Sequence, residues 1–240
     1  MAQSSRPTTA LRFDDGRRRM TIRPLSLLEA RALGVLIEKA HTVPDSYPLS
    51  LNALTMGCNQ KTARDPVLAA SEGEVQGAVD SLKSLSLAFE SSGSRVSRYE
   101  HNLGRAMALP SQSVALLATL VLRGAQTASE LRTNSERLHR FADISAVEGF
   151  LEELAGRADD KGGPLVIRLP RAPGAREQRW AHLLSGPVDI SVLPVASESD
   201  AIVPASELAA VKARLAVTEA EVGRLRTLVD RLYAELDVRP

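Results

Sequence analysis

Chemistry at a protein site needs titratable or nucleophilic groups that converge, and this sequence offers few of them. Cys58 is its single thiol, and no neighbouring histidine or basic pair lowers its pKa. A buried cysteine closing a helix is the simpler expectation. The four histidines, His41, His101, His139 and His182, stand alone, with no His-x-x-x-His pair and no metal-ligand spacing. No Walker loop, Gly-x-Ser-x-Gly elbow or dinucleotide fingerprint appears. The expectation is therefore a protein with no enzymatic activity, no cofactor and no metal. The most distinctive polar run is Asn59-Gln60-Lys61-Thr62. It can present amide and ammonium groups to phosphates or bases, or brace a long loop through bonds to the backbone.

The elements that must position these residues are limited by composition. Apolar residues make up 44% of the 240, enough to fill packed cores, while aromatics are only 3%. Such cores are aliphatic, which favours helices over a sandwich or barrel. A net charge of +1 leaves the question of a polyanionic partner to local distribution. No apolar run approaches the roughly 20 residues of a membrane span, and the N-terminus has no secretory h-region. With one thiol, no disulfide framework is possible. These features point to a cytoplasmic protein with no membrane partner.

Residues 1–24 carry Arg12, Arg17, Arg18, Arg19 and Arg23 with little apolar pattern, and read as a flexible basic arm. Asp14 and Asp15 interrupt any likeness to a transit peptide. Ser26 with Glu29 has capping-box spacing and opens a helix with Leu28, Leu33, Leu36 and Ile37, running to Lys39. Ser50 caps a short second helix through Met56, and Pro66 excludes helical geometry at Asp65. Ser71 with Glu74 opens a third, with Val75, Val79, Leu82 and Leu85 on one face. The period then changes, and 87–90 with 95–100 flank Ser91-Ser92-Gly93-Ser94 as a hairpin. The same order recurs: helices over 111–122, 127–133 and 145–155, then a hairpin from 165–169 and 178–183. The fold class expected is mainly α with small β-hairpins (α+β), as two tandem winged-helix domains, 25–108 and 109–186. A Pro-containing linker follows over 187–206.

Over 207–238 the sequence reads as a coiled-coil helix. Leu208, Val211, Leu215, Thr218, Val222, Leu225, Val229, Leu232 and Leu236 advance by alternating steps of three and four, an a/d seam with one polar member. A parallel dimer pairs Glu207 with Lys212, Arg214 with Glu219, and Glu221 with Arg226, all opposite in sign. Valines at a with leucines at d favour two strands, so the expectation is a homodimer through this tail.

Several runs together resemble the YceH family of bacterial proteins. They include Tyr47-Pro48-Leu49-Ser50-Leu51-Asn52, Cys58-Asn59-Gln60-Lys61-Thr62 with Arg64-Asp65-Pro66-Val67, and Leu122-Arg123-Gly124-Ala125-Gln126-Thr127. Arg95-Val96, Tyr99-Glu100, Glu130-Leu131-Arg132, Pro173-Gly174, Arg176-Glu177 and Leu184-Ser185-Gly186 complete the likeness over about 25–186. The resemblance implies tandem winged helices and no firmly assigned activity. The basic arm departs from the family pattern.

A winged helix usually sets its third helix in the major groove, with phosphate contacts supplying most affinity. Here 71–85 carries Glu72, Glu74, Asp80 and Lys83, and 145–155 carries Glu148, Glu152 and Glu153 with no Lys or Arg. The basic residues fall on loops and wings: Lys61, Arg64, Arg95, Arg98, Arg168, Arg171, Arg176 and Arg179. Two expectations follow. One is a DNA-binding or transcription-associated regulator that meets double-stranded DNA through wings, polar loops and arm. The other is a protein–protein interaction module, similar in kind to the winged-helix subunits of bacterial condensin complexes. The basic wings and arm tip the balance to DNA.

Overall fold

Ser26 does what its spacing predicts. In the computed structural model, which describes residues 23–91, 96–172 and 174–188, its Oγ accepts from Glu29 N–H at 3.2 Å. Glu29 Oε2 accepts in return from Ser26 N–H at 2.7 Å. This box opens α1 (Leu27–Thr42), which runs past Lys39 and ends before Pro44. Residues Glu29 to Ile37 of α1 are all buried, so the helix is enclosed on every side rather than laid on a surface. It packs against α2 (Leu51–Cys58) and α3 (Glu72–Ser84), and against α5 (Ser111–Arg123) of the second half.

Ser50 caps α2 through Ala53 N–H, and Ser71 with Glu74 forms the second box at the start of α3. The hairpin pairs β2 (Ala88–Ser91) with β3 (Arg98–His101), in register from Ala88↔His101 to Ser91↔Arg98. On the other side of β3 lies β1 (Leu49–Ser50), with Leu49 opposite Tyr99, giving the order β1-β3-β2. A two-residue strand is too short to carry an alternating pattern, so it is invisible to periodicity. A four-residue helix, α4 (Leu103–Ala106), leads to α5. Gly124, at φ +78°, ends α5 in a conformation glycine adopts without penalty.

The second half then repeats the order. Thr127 and Glu130 form a capping box on α6 (Ala128–Asn134), and Asp143 caps α7 (Ile144–Ala155). β4 (Val166–Arg168) pairs with β5 (Trp180–His182) from Val166↔His182 to Arg168↔Trp180. In the place of β1 is a single bridge, Gln126↔Trp180. The alignment reaches single residues: Arg98-Tyr99-Glu100-His101 of β3 answers to Arg179-Trp180-Ala181-His182 around β5. The described residues therefore form a mixed α/β arrangement of seven α-helices and two small antiparallel sheets. Apart from Ala172–Arg176, which group separately, they fall in one compact unit.

The halves are joined by the packing of α1 on α5 and, beside it, by the stretch between α2 and α3. Arg64 was expected among the phosphate contacts and is instead consumed by the fold. Its side chain is 0% exposed, with Nη2 at 2.6 Å and Nη1 at 3.2 Å from the two Glu38 carboxylate oxygens and Nε donating to Gly57 C=O. Arg31, 1% exposed, donates to Cys58 C=O at 3.1 Å and Pro66 C=O at 2.6 Å. Asn59 bridges to Ala70 in both directions. Thus fixed, the stretch sends Asp65 N–H to Leu122 C=O at 2.8 Å, satisfying a carbonyl left open in the last turn of α5. Gly34 lets α1 approach α5 closely, since a Cβ there would lie 3.0 Å from the Leu122 side chain. At the other end, Leu25 N–H donates to Leu184 C=O at 2.8 Å.

Arg23 was read as part of a flexible arm, yet its guanidinium reaches Glu29 at 2.6 Å and Ser81 Oγ at 2.5 Å. The Arg23 hydrogen bond to Glu29 first, against some desolvation and with help from Ser81 and the Ser26 N–H, holds the Glu29 carboxyl down to about 2. The rest of the arm, the linker beyond Val188 and the tail seam lie outside the described residues.

The equivalent histidines make acid sensitivity a property of both halves. Burial pushes His101 and His182 down to about 4, and Nδ1 of each is buried without a hydrogen-bond partner. Both folded-state values lie below the ordinary 6.5. Above that value neither state binds the proton and stability is unaffected, whereas between 6.5 and about 4 the unfolded chain binds more protons. Melting temperature is therefore expected to fall as pH drops through this window. Replacing both residues with Gln should flatten the profile between pH about 6.5 and 4.5, above the range where carboxylates protonate. An unchanged profile in that variant would assign the acid sensitivity to other groups.

Candidate partner-binding surfaces

The third helix of each half turns one face inward and the other to solvent. Val75, Val79 and Leu82 of α3 are buried, as are Val147, Leu151 and Leu154 of α7. Outward, α3 presents Glu72, Glu74 and Asp80, and α7 presents Glu148, Glu152 and Glu153. The only basic residue of the two helices, Lys83, is tied to Asp80 at 3.3 Å and to Glu90, with its ammonium 6.0 Å above the Tyr99 ring. Gly73, Gly77 and Gly149 on these faces have open space where a Cβ would be. The two surfaces are acidic and smooth.

The expected basic residues are not brought together as a group. Lys61, Arg171 and Arg176 are exposed and make no ion pair among the described residues. Arg98 is exposed but donates to Pro48 C=O at 2.8 Å, which ties the hairpin to the chain entering β1. Arg168 pairs with Glu152 of α7 and stacks 4.6 Å above the Trp180 ring. Arg179 lies 3.6 Å from Glu130. Arg64 is buried, as described, and Arg95 lies outside the described residues. A guanidinium already facing a carboxylate releases less free energy on meeting a phosphate, because the existing contact must be exchanged.

The polar run divides by role. Asn59 is structural, Gln60 accepts from Arg64 at 3.3 Å and donates to Thr62 Oγ1, and Lys61 faces solvent. Gln60 and Thr62 also line a cleft of about 500 Å³, into which Lys39, Arg123 and Arg137 bring cations from α1, α5 and the segment after α6. No motif flags those three, since they are scattered along the chain and only the packing of α1 on α5 gathers them. Cys58 is fully buried and burial raises its thiol to about 12, so it stays protonated and unreactive at neutral pH. Among the described residues no cluster of three or more His, Cys, Asp or Glu could hold a metal ion, and no helix is long and apolar enough to cross a membrane.

Comparison with known proteins adds a family without adding an activity. A protein of Paraburkholderia phytofirmans, named only as a UPF0502 protein, is 60% identical over 224 residues, covering 93% of this chain and 94% of the relative. UPF0502 proteins of Paraburkholderia xenovorans and Burkholderia ambifaria are 60% identical over 220 residues and 59% over 219. In both cases at least 90% of each chain is covered. The profile described as "Protein of unknown function, DUF480" matches residues 25–175, from the entry of α1 to the turn before β5. The chain belongs to the DUF480 family, whose members here carry the UPF0502 name.

Proposed function

We propose that the chain is a non-enzymatic, tandem winged-helix interaction module that grips a protein partner on the outer faces of α3 and α7. The fold reading is supported by the twice-repeated order of helix, short strand or bridge, two helices and hairpin, with the hairpin's second strand always innermost. The observation that carries the partner reading is the charge of the third helices. In a DNA-binding winged helix that face enters the major groove, between two rows of phosphates. Here it holds Glu72, Glu74 and Asp80 in one half and Glu148, Glu152 and Glu153 in the other. With Asp80 paired to Lys83 and Glu152 to Arg168, Glu72, Glu74, Glu148 and Glu153 remain without a cation partner among the described residues. Such faces repel a duplex and complement a basic protein segment.

A second reading, as a DNA-binding regulator, is favoured by Lys61, Arg171 and Arg176, which keep their charge free at the surface. It would use loops, hairpins and arm against phosphates and leave the third helices out of the groove. Both readings include a homodimer through the seam of Leu208, Val211, Leu215, Val222, Leu225, Val229, Leu232 and Leu236, which lies outside the described residues.

Charge reversal separates the two. Capture of a partner from nuclease-treated lysate should persist for the wild type and be lost when Glu72, Asp80, Glu148 and Glu153 become Lys. That variant should bind a mixed-sequence duplex better than the wild type. Duplex binding by the wild type at low salt, with a salt slope that flattens by about one unit per lost contact on replacing Arg98 and Arg171 with Glu, would instead establish the DNA reading. The seam is tested by light scattering. The wild type should be a dimer at tens of micromolar, and Leu225→Glu with Leu232→Glu a folded monomer. A monomeric wild type would refute the dimer.

A further inference from the structure

We propose that the cleft at the junction of the halves is a binding site for a small phosphate-bearing molecule. Its first wall comes from the end of α1 and the stretch after α2, with Lys39, Gln60 and Thr62. Its second wall comes from the last turn of α5 and the segment after α6, with Arg123 and Arg137. The one carboxylate on the lining, Glu38, is already spoken for. Both of its oxygens take the buried Arg64 guanidinium, and Lys39 Nζ stands 3.4 Å away. Burial opposes ionisation of Glu38, but the Arg64 hydrogen bonds and charge outweigh it, with Lys39 adding to them. Glu38 thus faces two cations, Arg64 and Lys39, while Arg123 and Arg137 have no carboxylate partner on the lining, so the space carries net positive charge.

Arg123 and Arg137 are exposed and make no ion pair among the described residues, so neither is committed to the fold. Two guanidiniums with a nearby ammonium favour a phosphate group, whose oxygens accept paired N–H bonds from Arg. The Thr62 hydroxyl, which accepts from the Gln60 amide, keeps its own proton to donate, while the Thr42 hydroxyl donates to Glu38 C=O; Leu122, Val43 and Leu138 supply apolar wall. A volume of about 500 Å³ suits a small ligand rather than a duplex groove. Because the walls belong to opposite halves, an occupant would link them, and binding would stabilise the junction held by Arg31 and Arg64. This site is independent of the outer faces of α3 and α7, so it stands or falls apart from the partner reading.

The test is titration of the full chain with inorganic pyrophosphate and with adenosine monophosphate, read by calorimetry and by melting temperature. Citrate serves as a non-phosphate anion and a mixed-sequence duplex as a polymeric source of phosphate. Saturable binding of pyrophosphate or the nucleotide at or below about 1 mM is expected, with a rising melting temperature. Arg123→Ala with Arg137→Ala should weaken it at least about tenfold, whereas Lys61→Ala should not. Should the double variant unfold, Arg137→Gln alone keeps the comparison, since that side chain is exposed. Four outcomes overturn the proposal: no saturation with either probe, equal affinity for citrate, a response to the duplex alone, or wild-type affinity in the variants.

Discussion

Two guanidinium groups buried between α2, α1 and the stretch after Cys58 are the constraint on which the rest of this structure depends. Taking a cation out of water is tolerable only when hydrogen bonds and a counter-charge replace the solvent. Arg64 meets that demand with both oxygens of Glu38 and the Gly57 carbonyl. Arg31 has only the Cys58 and Pro66 carbonyls, and its Nε has no acceptor among the described residues. Both arginines therefore demand that the backbone from Gly57 to Pro66 follow one path. On that path Asp65 N–H reaches the open carbonyl of Leu122, fastening the first half to the helix that begins the second.

That fastening changes what the most distinctive run of residues means. Asn59 and Arg64 are candidates, by sequence, for meeting phosphates or bases; Asn59 instead braces the loop, the other role open to it, and Arg64 bonds to Glu38 and Gly57. Both proposals rest on what the clamp leaves outside: two acidic helix faces, and a cleft lined by both halves. The proposed interaction module would gain from this arrangement. Surfaces held in fixed relation lose little freedom when a partner binds both.

The helices were legible because their starts are written locally. Ser26, Ser50, Ser71 and Thr127 each accept a hydrogen bond from a backbone N–H of the turn they begin. Both hairpins followed from a change of period, to within three residues at their ends. Several things escaped, the four-residue α4 among them. β1 and the Gln126 bridge are too short for any pattern. The residue-level repeat of Arg, aromatic and His at the last strands needed the observed registers to align it. The environment of Arg64 could not be read either, because burial of a guanidinium depends on Glu38, far off in sequence. An exposed loop arginine and a buried one look alike until their partners are placed.

If the clamp makes the halves one cooperative body, damage in the first must be felt in the second. The lone tryptophan, Trp180, sits buried in β5 of the second half and reports on that half by fluorescence. Urea unfolding of Arg64→Ala, followed by Trp180 fluorescence, is the most direct measurement. Breaking a buried ion pair should move the Trp180 transition by about 3 kcal/mol, in step with the loss of helix seen by circular dichroism. A Trp180 transition that stays in place while helix melts earlier would show that the halves are independent and that Arg64 does not join them.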